Sequence, residues 1–296
     1  MVLADFRVAM NRALVKWAAP GPDLGRVRDV AVEGPYRLIP VRVYEGAGRG
    51  APVTPGPVIL LCHGSGFVMG NLDTHDWLAR SLTAAAGAVV ISVDYLLAPE
   101  HPFPAALDEC VAVLDWVATG GAGPAADSSR LIVAGDSAGG ALAAGVSRIV
   151  RDRGGPQVYA QLLMYPVCGH ELDTLSWQRY GGGGYFLDAP TMRWFWSQYL
   201  HDPGEASNPY AVPLAAREFR GLPPAVVLIA GCDPLADEGR EYAARLRAGG
   251  ARVRLVEYAG AIHGFMTMSA ISPSAAAAVQ QVGAALCELT GRQVTA

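Results

Sequence analysis

The side chain best placed for chemistry is Ser137, which lies in the sequence Gly-Asp-Ser-Ala-Gly at residues 135–139. An apolar, strand-like run at 131–133 leads into this Gly-x-Ser-x-Gly pattern, and an Ala-rich, helix-like segment follows it. Glycine at both ends of the pattern permits a turn too tight for a Cβ against the neighbouring strand and helix. We therefore expect Ser137 to lie in a strained strand-to-helix turn, with its hydroxyl at the C-terminal edge of a sheet.

A serine hydroxyl is a poor nucleophile at neutral pH, so it needs a base and an acid that orients the base. Among the six histidines, His263 directly follows the last predicted strand, and Asp233 follows the apolar strand at 226–230. Asp237 and Glu238 come one turn later, where acids commonly stabilise a helix N-terminus. The order serine, aspartate, histidine at three strand ends predicts a triad of Ser137, Asp233 and His263.

A second loop with a chemical signal is His-Gly-Ser-Gly-Phe at residues 63–67, directly after the predicted strand at 58–62. Small residues there let backbone N–H groups approach a developing negative charge, and each such donor lowers the barrier by roughly 3 kcal/mol. Taken alone, the pattern is typical of a flexible glycine loop. Beside the triad it predicts half of an oxyanion hole, and we expect His63 to organise the loop and not to act as a base.

Short apolar strands alternate with longer helical segments along most of the chain. The predicted strands, after a hairpin of 26–32 and 36–44, are 58–62, 88–93, 130–134, 160–164, 225–230 and 253–257. The predicted helices are 2–18, 74–86, 105–118, 138–151, 235–248 and 274–289. Because these strands are too apolar to have a wet face, we predict an α/β fold: an eight-stranded, mostly parallel sheet covered by helices on both faces.

About sixty residues between positions 164 and 225 contain no clear strand. They include a glycine run at 181–184 and an aromatic helix candidate at 194–199. A core helix with connecting loops would account for this interval. Since a loop this long is usually functional, we predict a cap formed by about 168–212 and about 1–20, with the glycines as a hinge.

Composition excludes several classes of protein. With 296 residues, 51% of them apolar and 17% charged, the chain is expected to form a single globular domain over 1–296. A net charge of −4 without charged blocks argues against nucleic acid and membrane partners. No signal peptide or membrane span is evident, and the five dispersed cysteines lack metal-ligand spacing. We therefore expect a cytoplasmic protein with no metal and no cofactor.

Taken together, the motifs resemble those of the bacterial hormone-sensitive-lipase-like (family IV) carboxylesterases of the α/β-hydrolase fold. The motifs are the 63–66 loop, Asp-Tyr-Leu-Leu-Ala-Pro-Glu-His-Pro at 94–102, the 135–140 elbow, Asp-Pro-Leu-Ala-Asp-Glu-Gly at 233–239 and His-Gly-Phe at 263–265. The resemblance runs from about residue 57 to the final helix. It implies Ser137 as nucleophile, Asp233 as orienting acid, His263 as base and an oxyanion hole of the backbone N–H groups of Ser65, Gly66 and Ala138.

Two residues depart from the family pattern. Ser65 stands where the middle glycine of a His-Gly-Gly-Gly loop is usual, and Leu96 stands where an arginine is usual. We expect a Cβ at position 65 to be harmless if the backbone φ there is negative. Loss of the arginine is expected to alter a structural ion pair more than the chemistry.

These observations predict a serine hydrolase that cleaves short-chain acyl esters of a small molecule through an acyl-enzyme. We expect four aromatic side chains to wall the substrate pocket: Phe67, Tyr185, Phe186 and Trp194. An amide or N-acetyl deacylase using the same triad is the alternative, and a non-catalytic small-molecule receptor on the same scaffold has less support because all three triad residues are present. The sequence leaves open whether the chain forms a homodimer.

Overall fold

A computed structural model describes residues 3–46 and 55–290. A stretch rich in glycine and proline at 47–57 falls largely outside the described residues, as do residues 1–2 of the predicted cap. The strands are β1 (Arg26–Glu33), β2 (Leu38–Glu45), β3 (Gly56–Cys62), β4 (Val89–Val93), β5 (Ala126–Asp136), β6 (Val158–Met164), β7 (Ala225–Cys232) and β8 (Val253–Ile262). The helices are α1 (Leu3–Trp17), α2 (Asp76–Ala86), α3 (Ala105–Ala118), α4 (Ala138–Asp152), α5 (Leu175–Tyr180), α6 (Ala189–Tyr199), α7 (Ala236–Ala248) and α8 (Ser274–Thr290).

All eight strands form one sheet in the order β1-β2-β4-β3-β5-β6-β7-β8. β1 pairs antiparallel with β2, as in the predicted hairpin, and β2 also pairs antiparallel with β4. The remaining neighbours pair in parallel. The predicted eight-stranded, mostly parallel sheet is confirmed.

Parallel pairing decides where the polar strand ends meet. The C-terminal ends of β3, β5, β7 and β8 all lie at the same edge of the sheet, because parallel neighbours run in the same direction. The loop after β3 and the residues after β5, β7 and β8 are therefore brought to one edge. In an open α/β sheet this edge is where ligands bind.

Helices cover both faces of the sheet, since β3 and β4 are buried along their whole length. One apolar cluster joins α3, α4 and α7 to one face, and a second joins α2 and α8 to the other. These two layers account for the near-continuous apolar character of the strands. None of the helices in residues 3–46 and 55–290 is long and apolar enough to cross a membrane.

The interval between β6 and β7 holds α5, α6 and two short 3-10 helices, Pro203–Ser207 and Pro213–Ala215, and the described structure places no strand there. α6 begins where the Asp188 carboxylate accepts the Thr191 N–H at 2.8 Å. Its buried face packs toward the sheet through Met192, Phe195, Trp196 and Tyr199. Side chains of α1 and α6 line one cavity together with Ser137 and His263, which lie at the C-terminal edge of the sheet. We therefore refer to residues 3–20 and 168–212 as the cap segments.

Candidate active site

Ser137 lies between the end of β5 and the start of α4 with φ 54° and ψ −120°. This conformation costs a non-glycine residue about 1–3 kcal/mol and persists only where the surroundings impose it. Glycine is required on both sides: a Cβ on Gly135 would lie 2.0 Å from the Gly139 carbonyl oxygen, and one on Gly139 would lie 2.0 Å from that of Cys62. The expected tight strand-to-helix turn is thus what the chain adopts.

Three side chains from three strand ends form a continuous hydrogen-bonded line. His263 Nε2 lies 2.8 Å from Ser137 Oγ, and His263 Nδ1 lies 2.7 Å from Asp233 Oδ2. All three residues are at least nine-tenths buried. Buried hydrogen bonds of this kind fix the imidazole ring and its tautomer, with one nitrogen facing the hydroxyl and the other facing the carboxylate.

The neighbouring acid, Asp237, is occupied elsewhere. Its Oδ2 accepts the Ser176 N–H at 2.8 Å and its Oδ1 accepts from Arg240 at 2.8 Å, so it ties α7 to α5. Asp233 has its second oxygen held by the Leu235 N–H at 2.9 Å, which leaves Oδ2 for the imidazole. The geometry therefore distinguishes the two aspartates in the way the strand positions suggested.

The loop after β3 adopts left-handed backbone at three successive residues: Ser65 (φ 84°), Gly66 (φ 68°) and Phe67 (φ 64°). Successive N–H groups in such a run tend to form an anion-binding concavity. Within residues 3–46 and 55–290, no acceptor pairs with the N–H of Ser65 or Gly66. The N–H of Ala138 begins α4 and has no preceding helical turn to donate to. Ser65 and Gly66 line the same cavity as Ser137, and Ala138 follows Ser137 in the chain, so these three N–H groups are candidates for binding an oxyanion.

Asp136 holds this loop from beneath. Its Oδ1 accepts the Gly64 N–H at 2.9 Å and lies 3.2 Å from His75 Nε2, while His75 Nδ1 contacts Thr74 Oγ1 at 2.9 Å. Burial alone would raise the pKa of Asp136, but the adjacent His75 and the Gly64 N–H hold the pKa below the usual aspartate value. The buried carboxylate of Asp136 therefore links the Ser137 turn to the loop after β3. The Gly-x-Ser-x-Gly pattern did not predict this role, because it leaves the residue before the serine unspecified.

His63 is fully buried, its ring stacked on Tyr95 at 4.2 Å between centroids. Burial and the neighbouring His75 lower the pKa of His63 to about 3, so the ring is neutral at physiological pH. Its Nδ1 lies 2.9 Å from the Gly64 carbonyl oxygen. Two further histidines, His170 and His201, lie in the second cap segment and line a separate surface depression.

A cavity of about 250 Å³ opens beside Ser137 and His263. Its wall is mostly apolar and comes from both cap segments and the loop after β3. The apolar lining residues are Phe6, Met10, Leu14, Met69, Val167, Phe186, Leu187, Met192 and Phe195. A Cβ on Gly66 would lie 2.4 Å from the Phe195 ring, so α6 rests directly on the loop that carries the N–H donors.

Of the four aromatic residues expected to wall the pocket, only Phe186 does so. Phe67 is buried beneath the cap, stacked on Tyr199 at 3.8 Å between ring centroids. Tyr185 packs on Tyr180, and Trp194 packs edge-on against Phe6; neither Tyr185 nor Trp194 lines the cavity. The sequence analysis placed residues 1–20 in the cap, but it named neither the side chains of α1 nor the methionines as part of the pocket wall.

Across residues 3–46 and 55–290, no group of three or more His, Cys, Asp or Glu side chains is arranged to hold an ion.

Comparison with known proteins gives consistent matches along most of the chain. A family model described as alpha/beta hydrolase fold matches residues 59–267. The carboxylic ester hydrolase LipN of Mycobacterium tuberculosis is 38% identical over 276 residues, covering 91% of this chain and 72% of LipN. An ethyl acetate hydrolase of Pseudomonas putida is 38% identical over 264 residues, covering 88% and 81%. The solved esterase of Pyrobaculum calidifontis superposes with a TM-score of 0.90 at 39% identity, covering 98% and 94%.

Proposed function

The chain belongs to the hormone-sensitive-lipase-like family of α/β hydrolases, and we propose that it hydrolyses short-chain carboxylic esters through an acyl-enzyme on Ser137. The observation that carries this proposal is the line from Asp233 through His263 to Ser137, with contacts of 2.7 and 2.8 Å. The names of the similar proteins, an ethyl acetate hydrolase among them, support ester hydrolysis.

Acylation begins when Ser137 Oγ attacks the ester carbonyl carbon. His263 Nε2 takes the hydroxyl proton, and Asp233 stabilises the imidazolium through Nδ1–H. The carbonyl oxygen becomes an oxyanion, which the N–H groups of Ser65, Gly66 and Ala138 stabilise. Collapse of the intermediate transfers the proton from His263 to the leaving alcohol and leaves the acyl group on Ser137.

Deacylation reverses the roles with water as nucleophile. His263 takes a proton from the water, the hydroxide attacks the acyl carbon, and the same N–H donors stabilise the second oxyanion. His263 then returns the proton to Ser137 Oγ, which releases a carboxylic acid and restores the site. All the groups that these steps need are already on the protein.

The cavity favours acyl groups of modest size. Its volume of about 250 Å³ is at or below the lower end of ordinary small-molecule sites, which run from roughly 300 to 1,000 Å³. Phe195 and the thioethers of Met10 and Met192 close its walls, so a chain longer than about six carbons would need the cap to move. We therefore place the preferred acyl length at about two to six carbons.

The proposal is tested with purified protein and p-nitrophenyl esters of acetate, butyrate, hexanoate and dodecanoate, with p-nitroacetanilide as the matched amide of the acetate. We expect kcat/KM to be highest between acetate and hexanoate and to fall at least tenfold for dodecanoate. The anilide should react far more slowly than the acetate ester.

Comparable rates on the anilide and the acetate ester would instead assign the site to an amide deacylase. Efficient turnover of long-chain triglyceride emulsions would contradict the short-chain preference. No turnover of any ester, with the fold intact by circular dichroism, would favour the receptor alternative.

A further inference from the structure

Arg7, in the second turn of α1, contacts two other parts of the chain at once. Its Nε donates to the Val68 carbonyl oxygen at 2.5 Å, and its Nη2 donates to that of Ala98 at 2.5 Å. The guanidinium also meets the Glu100 carboxylate in a two-point contact, at 2.7 Å through Nη1 and 2.5 Å through Nη2. A planar group with five N–H donors is suited to such a set of acceptors, and a lysine is not.

The carbonyl that Arg7 holds belongs to the loop that carries the proposed oxyanion donors. Val68 lies three residues after Ser65, and its own N–H and that of Met69 point back to the Ser65 carbonyl oxygen. The Ala98 N–H donates to the Phe67 carbonyl oxygen at 3.0 Å. Arg7 therefore fastens the loop directly through Val68 and indirectly through the Ala98 segment.

One turn further along α1, Asn11 continues the same contact. Its side-chain oxygen accepts the Gly70 N–H at 3.0 Å. Residues four apart lie on one helix face, so a single face of α1 holds the loop at both Val68 and Gly70.

The same helix forms part of the substrate cavity. Phe6, Met10 and Leu14 line the cavity. Phe6 directly precedes Arg7 in the sequence, and Met10 directly precedes Asn11. The far end of α1 is tied to the segment after His263, because the Ala270 N–H donates to the Trp17 carbonyl oxygen at 2.8 Å. α1 thus touches the substrate space, the oxyanion loop and the histidine segment.

The charge pair alone does not explain this arrangement. Glu100 is half exposed, and exposed ion pairs contribute little on average. The hydrogen bond from Arg7 holds the pKa of Glu100 below its usual value, so the carboxylate stays ionised and keeps the guanidinium oriented toward the two carbonyl oxygens. Besides the ion pair, the oriented guanidinium of Arg7 donates hydrogen bonds to the backbone carbonyl oxygens of Val68 and Ala98.

We propose that Arg7 is a positioning residue that couples the α1 wall of the substrate cavity to the geometry of the oxyanion loop. The proposal rests on the proposed esterase function. A displacement of α1 therefore also displaces the loop that carries the N–H groups of Ser65 and Gly66, because the guanidinium joins the helix to the loop. Loss of Arg7 therefore lowers kcat even for an acyl group too short to need the α1 wall.

The test compares Arg7→Ala with Arg12→Ala, which removes an exposed arginine from the same helix. Both are assayed on p-nitrophenyl acetate and hexanoate. We expect Arg7→Ala to lower kcat by roughly ten- to a hundredfold on both esters, the loss typical of a displaced reacting geometry. Arg12→Ala should stay within twofold of the wild type. Millimolar guanidinium should partly restore the kcat of Arg7→Ala, and Arg7→Lys should not recover it fully.

Three results would overturn the coupling. One is a loss confined to KM on hexanoate, which would make Arg7 part of the wall alone; another is a lower melting temperature with kcat unchanged. If Arg7→Ala does not fold, Asn11→Ala probes the other contact, and unchanged kcat on acetate there would also contradict the proposal. An inactive wild type would instead refute the esterase function itself.

Discussion

Ser65 carries a side chain in a backbone conformation that favours glycine. The expectation that a Cβ would be harmless there required a negative φ, and the observed value is +84°. For an L-residue the left-handed region costs roughly 1–2 kcal/mol. The residue also lines the substrate cavity. The strain therefore lies next to the proposed oxyanion donors, where the loop geometry matters most.

Replacing Ser65 by glycine separates the effect of backbone strain on stability from the effect of the side chain on catalysis. Ser65→Gly relieves the left-handed strain, while glycine gains freedom in the unfolded chain, so the net stabilisation should be between about zero and 1 kcal/mol. Since the N–H is retained, kcat/KM on acetyl esters should change by less than about tenfold, with hexanoyl esters gaining more. Steady-state kinetics and thermal melts measure both quantities.

A uniform fall of about two orders of magnitude on both esters would contradict this reading of Ser65. Such a loss is the amount expected for one missing oxyanion donor. It would show that the hydroxyl itself donates to the oxyanion or to the substrate.

Leu96 shows what sequence reasoning could and could not reach at this scale. The sequence shows that Leu96 stands where the family pattern has an arginine. It does not show which charged side chains lie near this position in the fold. In the structure Arg37, fifty-nine positions earlier in the numbering, contacts the buried Glu109 at 3.0 Å, and Glu109 also accepts the Leu96 N–H at 2.8 Å. Arg37 and Glu109 thus form an ion pair close to Leu96, and the turn between β1 and β2 brings Arg37 there.

At the scale of elements, the sequence predicted a cap over about 1–20 and 168–212 but not which of its side chains are buried. Residues 194–199 contain four aromatic side chains, so periodicity does not indicate which face of α6 is buried. The structure buries Phe195, Trp196 and Tyr199 and turns Trp194 outward against Phe6. The face is decided by packing on the loop after β3, where Gly66 leaves room for the Phe195 ring. No local pattern carries that information.

Glu238, in the first turn of α7, has a function that its position alone did not suggest. Its carboxyl group is buried, and Oε2 accepts the Gly169 N–H at 2.7 Å at the base of the second cap segment. No partner for Oε1 is present among the residues described. Burial raises the pKa of Glu238 well above the usual glutamate value, and nearby Asp233 adds to the rise. The carboxyl group thus links α7 to the second cap segment through a hydrogen bond, and burial favours its protonated form.

A pH-dependent stability difference follows. A carboxyl group with a raised folded pKa contributes stability that is fully present below its unfolded pKa of about 4.3 and is lost as pH rises toward the folded pKa. Glu238→Gln keeps an acceptor for Gly169 and removes the titration. The melting temperature of Glu238→Gln minus that of the wild type should therefore increase from pH 4 to pH 8, by about 2–4 °C for each kcal/mol involved.

The matched control is Glu241→Gln, which alters an exposed acid of the same helix that pairs with Arg245. Its melting-temperature difference should stay nearly constant over this range. A difference for Glu238→Gln that is constant or shrinks toward pH 8 would show that the buried carboxyl ionises freely in the folded protein.

At the scale of the whole molecule, alternating apolar strands and helices were sufficient to predict the sheet. The order of the strands within the sheet was harder to predict. β4 lies between β2 and β3, because long-range pairing and not order in the chain sets its place. What made the triad predictable is that parallel strands share one C-terminal edge, so residues after β5, β7 and β8 had to meet. Residues 1–20 were expected in the cap, but the side chains of α1 that line the cavity were not predictable in the same way, because α1 lies far in sequence from the other elements of the wall.

The most direct test of this account is covalent labelling by a fluorophosphonate, read by intact mass. Such a reagent reacts with a serine hydroxyl activated by an adjacent base. We expect the wild type to gain one adduct per chain at Ser137, His263→Ala to react far more slowly, and Ser137→Ala to gain none while keeping its fold. A wild type that stays unlabelled, or an adduct of equal yield in Ser137→Ala, would contradict the central claim that Ser137 is the activated nucleophile.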